Sequence, residues 1–205
     1  MNPLWNSDKP LVLASGSATR RDMLHACGIS FAVDAANIDE RALETTLAAR
    51  SATPATTAAA LARAKAAAVG TRHPGFLVLG ADQVLDFEGR CHSKASSLEE
   101  VATQLAQFSG KSHRLISAAS VWRDGRELWF HASVATLTMR TLSPAFIQRY
   151  VAACGDVLLS SVGGYQIEAA GSHLFSTIEG DHATILGLPL LALLDFLRDD
   201  GSLAC

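Results

Sequence analysis

The stretch LVLASGSATRRDML, Leu11 to Leu24, constrains the fold more than any other part of the chain. Leu11 to Ala14 is an apolar run that reads as a buried strand. Ser15, Gly16 and Ser17 form a small-residue turn, and Thr19 to Cys27 reads as a helix that stops at Gly28. A strand that feeds a helix through so short a turn commits the chain to a layered α/β arrangement. It also leaves free backbone N–H groups and the positive end of a helix dipole at the strand tip, a place that binds anions, phosphate above all. Arg20 and Arg21 in the first turn work against that dipole unless an anion satisfies them. The loop carries neither G-x-x-x-x-G-K-[ST] nor G-x-G-x-x-G, so neither a P-loop nor a dinucleotide site is supported. The plain alternative is a turn capped by Ser17 with exposed arginines.

The rest of the chain extends the α/β pattern. Ile29 to Val33 is a second strand, Asn37 to Glu40 a polar turn, and Pro54 to Ala68 an Ala-rich helix with proline at its start and Gly70 past its end. Phe76 to Leu79 reads as a central strand that runs into Gly80-Ala81-Asp82-Gln83. Val84 to Phe87 continues as a hairpin arm turning at Glu88-Gly89. Ser97 to Glu100 is a capping box, followed by a helix with Val101, Leu105 and Phe108 on one face. Ser112 to Trp122 and Glu127 to Met139 are long strands joined at Asp124-Gly125. Ser143-Pro144 opens a helix that ends near Gly155, Leu174 to Ile178 is a strand, and Pro189 to Leu197 is a closing helix. The expected fold is a mixed, twisted sheet with flanking helices, bent into two lobes around a deep cleft. Residues 1–205 form one domain, with 1–9 as a loose terminus.

Composition narrows the function. The chain is 49% hydrophobic and 18% charged, with a net charge of -3, which offers no general surface for polyanions, so nucleic acid is not an expected partner. No apolar run approaches the ~20 residues that span a bilayer. The four cysteines form no C-x-x-C pair and read as free thiols of a cytoplasmic protein. Among groups that could do chemistry, Asp82 stands out, since a carboxylate at the end of a buried strand is costly unless used. Metal binding and general-base work are its uses, and capping a turn is the alternative. Asp39-Glu40 reads as a solvated turn alone, or with Asp82 as oxygen ligands for a hard cation. Arg20, Arg21, Lys65 and Lys94 are cations of the kind that neutralise a phosphate leaving group, although Lys65 also reads as a solvated helix face.

Taken in order, SGSATRRDML (15–24), NIDE (37–40), AKAAA (64–68), GADQV (80–84), Lys94, SGKSH (109–113), GGYQIEAAG (163–171), IEGD (178–181) and LGLPL (186–190) resemble the Maf family of nucleotide pyrophosphatases over nearly the whole chain. The resemblance implies an elongated fold like that of the inosine-triphosphate pyrophosphatases. It implies hydrolysis of a nucleoside triphosphate to the monophosphate and pyrophosphate, dependent on Mg2+ or Mn2+. It makes Asp82 the proton acceptor, places Glu40 and Asp82 at the metal, adds Lys65 and Lys94 as catalytic cations, and gives phosphate binding to Ser15, Ser17 and Arg20. A homodimer is also expected on this ground. Where many members carry Arg or Trp, this chain has Thr19. Where the pyrimidine branch has Thr and Gln, it has Gln83 and Glu168, and Ser161 to Tyr165 replaces that branch's KAGAY. Gln83 and Glu168 look like the branch that cleaves 7-methyl-GTP, with Thr19, Gln83 and Glu168 as specificity positions. Specificity of the dTTP/UTP type, or a nucleotide-binding regulator of cell division without turnover, are the alternatives.

Overall fold

The computed structural model describes residues 4–205. Its centre is a seven-stranded mixed sheet in the order β2-β1-β3-β5-β6-β7, with β4 also paired to β3. Strand β1 (Leu11–Leu13) runs parallel to β2 (Phe31–Val33) on one side and to β3 (Val78–Phe87) on the other. β4 (Arg90–His92), β5 (Ser112–Arg123), β6 (Arg126–Met139) and β7 (Phe175–Glu179) pair antiparallel. β1 is buried on both faces: Leu11 and Leu13 join one core cluster, and Val12 and Ala14 another. That explains why its sequence is continuous apolar rather than alternating.

The helices are fixed by local signals. Ser17 caps α1 (Ala18–Ala26), Thr53 caps α3 (Pro54–Gly70) ahead of its proline, and Ser97 caps α4 (Leu98–Phe108). In the capping box of α4, Ser97 Oγ accepts from Glu100 N, while the Glu100 carboxylate reaches back to Ser96 N at 2.7 Å. Helix α5 (Pro144–Cys154), a short α6 (His182–Ile185) and α7 (Leu190–Asp199) complete the shell.

Three expectations are corrected. Residues 37–40 are more than a turn: Asp39 caps a helix, α2 (Glu40–Ala49), by accepting from Ala42 N at 2.9 Å. Residues 78–87 form a single strand, so Asp82 lies in mid-strand rather than beyond a strand end. Pairing with β5 from Val78 to Asp86 carries the chain through the polar residues that interrupt the apolar run. The start is not loose from Leu4 onward: Trp5 bridges Leu203, and Asn6 N donates to Ser202 O at 3.0 Å. Residues 1–3 of the expected loose segment lie outside the described residues.

The period-two alternation of β3 and β5 divides the molecule. On one face, Leu79, Ala81, Ala119 and Val121 pack with α1 and α7. Further along the same face, Leu85, Phe87 and Leu115 pack with α4 and α5. Between these clusters the cross-strand pair is polar, Gln83 opposite Ser117. The opposite face is covered by α3, whose Ala58 and Ala62 meet Val84, Ile116 and Ala118. Gly80 permits this approach, because a Cβ there would lie 2.1 Å from Ala62 O. The free edge of β3 is taken by β1 at residues 78–79 and by β4 at 85–87. The stretch between has no strand on that side, and the cleft opens there.

Candidate active site

One cleft of about 730 Å³ is lined by Ser15, Ser17, Thr19, Arg20, Glu40, Lys65, Asp82, Gln83, Lys94 and Glu168. Of the other candidates, Arg21 is exposed outside the lining and Asp39 is spent on capping α2. The lining residues come from the β1–α1 loop, α1, α2, α3, β3, the segment after β4 and the 160–168 loop, so no local stretch builds the site.

The first loop is held from within. Ser15 Oγ accepts from Ser17 N at 3.3 Å and from Arg20 Nη1 at 3.0 Å, which leaves the Ser15 hydroxyl hydrogen to donate elsewhere. Arg20 is buried and its Nε donates to Gly187 O at 2.8 Å. Burial pulls the Arg20 guanidinium down from its ordinary pKa, while Asp82 and then Glu40 pull it back up. The Arg20 amide is taken by the Ser17 cap, but those of Ala18 and Thr19 have no intrahelical partner, and Gly16, Ala18 and Thr19 face the cleft. Hydroxyl, amides and guanidinium together make an anion cradle.

Opposite it stands an ion triad. Lys65 Nζ meets Glu40 Oε2 at 2.7 Å and Asp82 Oδ1 at 2.7 Å. Lys65 is one-sidedly placed by α3, which presses on the strand at Gly80 and turns this side chain toward Asp82. Asp82 and Lys65 are nearly sealed, with side chains 11% and 9% exposed, whereas Glu40 is 46% exposed. Burial raises the Asp82 carboxyl above the usual carboxylate range, against the opposing pull of Lys65 and Arg20. A carboxylate held in this way grips a proton more readily than one in water. Lys94 lines the cleft from the segment after β4 and makes no ion pair among the described residues.

Gln83 projects from the other face of β3. Its Nε2 donates to Ser117 Oγ at 3.0 Å and reaches Thr184 O and Ile185 O, both at 2.9 Å. Two backbone carbonyls require the NH2 on that side, so the amide orientation is set and Oε1 remains as an acceptor. Thr19 is half-buried and Glu168 exposed at the cleft.

Several lining residues carried no sequence signal of their own. Glu44 follows Glu40 by one helical turn, a spacing that shows only once α2 is seen as a helix. Its carboxyl is raised first by burial and then by the like charges of Asp82 and Glu40. Arg41, His92, Ser93, Tyr165 and Gln166 also line the cleft. The carbonyls of residues 184–187 that hold Arg20 and Gln83 belong to backbone, which side-chain identity does not reveal.

The donor set fits a hard divalent cation on one condition. Among the described residues no three His, Cys, Asp or Glu side chains gather into a metal site by themselves. Lys65 takes one oxygen of each carboxylate, Glu40 Oε2 and Asp82 Oδ1, so a cation would use their other oxygens, and two carboxylates with substrate phosphates and water completing the shell is how Mg2+ is commonly held.

Residues 10–200 match the family model described as Maf-like protein. The chain is 48% identical to a nucleoside triphosphate pyrophosphatase of Paramagnetospirillum magneticum, over 94% of this chain and 99% of that one. It is also 48% identical to a 7-methyl-GTP pyrophosphatase of Brucella suis, over 92% of this chain and 94% of that one. A solved nucleoside-triphosphatase / dITP/XTP pyrophosphatase from Mycobacterium abscessus is similar at a TM-score of 0.39 and 15% identity, covering 74% of this chain and 98% of that chain, too slight a likeness to argue from.

Proposed function

Since this chain belongs to the Maf-like proteins, we propose that it is a nucleoside triphosphate pyrophosphatase that cleaves the bond between the α- and β-phosphates. The observation that carries this is the buried Asp82, held by Lys65 at 2.7 Å across from the Ser15–Arg20 anion cradle in one cleft. Asp82 accepts a proton from the attacking water. The water oxygen bonds to the α-phosphorus as the bond to the bridging oxygen breaks, and pyrophosphate leaves with the electron pair. Arg20, Lys94 and the α1 amides offset the charge that develops on the leaving group. Glu40 and Asp82 would hold Mg2+ or Mn2+, which, when bound, lowers the pKa of water and screens phosphate charge.

The substrate we favour is 7-methyl-GTP, which some relatives are named for. Gln83 Oε1 and the Glu168 carboxylate are acceptors suited to the N1–H and exocyclic amine of guanine, and a cationic methylated ring favours the nearby carboxylate. The remaining specificity position, Thr19, lines the same cleft.

The test is pyrophosphate release from 7-methyl-GTP, UTP, dTTP and CTP with Mg2+ or Mn2+, beside Asp82→Asn. Turnover of 7-methyl-GTP, with Asp82→Asn lowered about 10²- to 10⁴-fold in a folded protein, is expected. Full turnover by Asp82→Asn refutes the base assignment. UTP or dTTP turnover without 7-methyl-GTP turnover refutes the substrate, and binding of every nucleotide without turnover refutes the enzyme.

A further inference from the structure

His113 is buried at 2% exposure on β5, outside the lining of the cleft, and the reaction above gives it no part. Its Nε2 shares a hydrogen bond of 2.6 Å with the Tyr165 hydroxyl. The ring lies against Phe108 and Phe175, with centroids 5.3 Å and 5.9 Å away, and its buried Nδ1 has no partner among the described residues. A buried imidazole with one unsatisfied nitrogen costs stability relative to an aromatic hydrocarbon of similar size. The group it does serve, Tyr165, lines the cleft.

Tyr165 anchors a stretch of chain that has little other regular structure. Residues Ser161, Val162 and Tyr165 to Glu168 all line the cleft. Gly163 and Gly164 sit at φ +84° and +70°, where a Cβ would meet Leu85 and Tyr165, or Val101, within 2.7 Å. Tyr150 supports the same bend by donating to Gly164 O at 3.4 Å, a long bond. The short His113–Tyr165 bond is thus the strongest polar tie between this segment and the sheet. The segment ends in Gln166 and Glu168, while the anion cradle is carried by α1 and β1.

We propose that His113 is a positioning residue: through Tyr165 it holds the 161–168 segment as the wall that meets the nucleoside end of the substrate. This rests on the pyrophosphatase reading above and adds to it a residue outside the cleft.

The test compares His113→Phe, Tyr165→Phe, the double variant and His113→Gln, with KM and kcat for the nucleotide the wild type turns over. Inorganic pyrophosphate is the probe for the phosphate end, followed by calorimetry. Either single variant is expected to raise KM about 3- to 10-fold, the worth of one hydrogen bond, with kcat nearly unchanged and pyrophosphate affinity intact. The double variant is expected to be no worse than the singles, because the pair acts as a unit. His113→Gln, which keeps a polar partner, recovers part of the loss. A lowered melting temperature with wild-type KM in the singles overturns the proposal, and so does an equal loss of pyrophosphate affinity or a double variant that multiplies the two effects. If the wild type binds pyrophosphate but turns over no nucleotide, the pyrophosphatase reading falls first, and this proposal with it.

Discussion

The contact of α3 with β3 at Gly80 couples stability to the active site, and Gly80→Ala measures that coupling. A Cβ at this position would lie 2.1 Å from Ala62 O, 2.6 Å from Ala66 N and 2.9 Å from Ala66 Cβ. Carbon normally approaches a carbonyl oxygen no closer than about 3.3 Å, so α3 must withdraw by roughly 1 Å. The obstruction is helix backbone, which cannot rotate aside as a side chain would. Overpacking of this kind costs about 1–3 kcal/mol, and the rigid partner places this case near ~3 kcal/mol. Lys65 immediately precedes Ala66, so the same withdrawal draws its ammonium away from Asp82. A misplacement of ~1 Å at a catalytic group costs on the order of 100-fold in rate. Urea unfolding gives the first quantity and pyrophosphate release the second. Gly70→Ala is the control: at the last residue of the same helix nothing lies within 4 Å of the added Cβ. It is expected to leave activity intact and to gain up to ~1 kcal/mol, as alanine does over glycine in a helix. A Gly80→Ala protein with wild-type stability and wild-type rate would show that the seat of α3 does not place Lys65.

Two further outcomes follow from the geometry. Arg20→Lys cannot bond Gly187 O and Ser15 Oγ together as the guanidinium does, and kcat/KM measured at saturating metal should fall on the order of 100-fold; a loss under about 3-fold would refute the cradle. Burial draws the His113 imidazole from 6.5 down to about 4. The neutral ring therefore favours the folded state fully above pH 6.5, and this contribution drains away as pH falls toward 4, by up to ~3 kcal/mol. Denaturant unfolding across that window should slope in the wild type and flatten in His113→Phe.

The two ends of the site differed in how openly the sequence displayed them. The Ser15–Arg20 loop was legible because all its cues are local: an apolar strand, small residues, a cap and a helix stop follow one another. Asp82 was visible as a costly carboxylate, yet its place in mid-strand was not. The alternation that would mark β3 is broken by Gly80, Asp82 and Asp86, whose partners Ala62, Lys65 and Arg114 are far along the chain. Helix α2 was hidden behind the polarity of its own first turn, although Asp39 followed by Glu40 is an ordinary N-terminal signal. His113 and Tyr165 are 52 positions apart, and no local pattern joins them.

The carbonyls that bind Arg20 and Gln83 lie within one short run, at Thr184, Ile185 and Gly187. On the proposed function, triphosphate and base would therefore be gauged against a common ruler made of peptide bonds. Apolar exchanges at 185 and 186 that keep their core packing leave that ruler unchanged, whereas loss or gain of a single residue there displaces both marks at once. Divergence among such enzymes should accordingly spare the length of this run, together with the glycine at 187 (φ +103°) and the apolar character of 185 and 186, and a deletion here should disable every substrate alike instead of exchanging one for another.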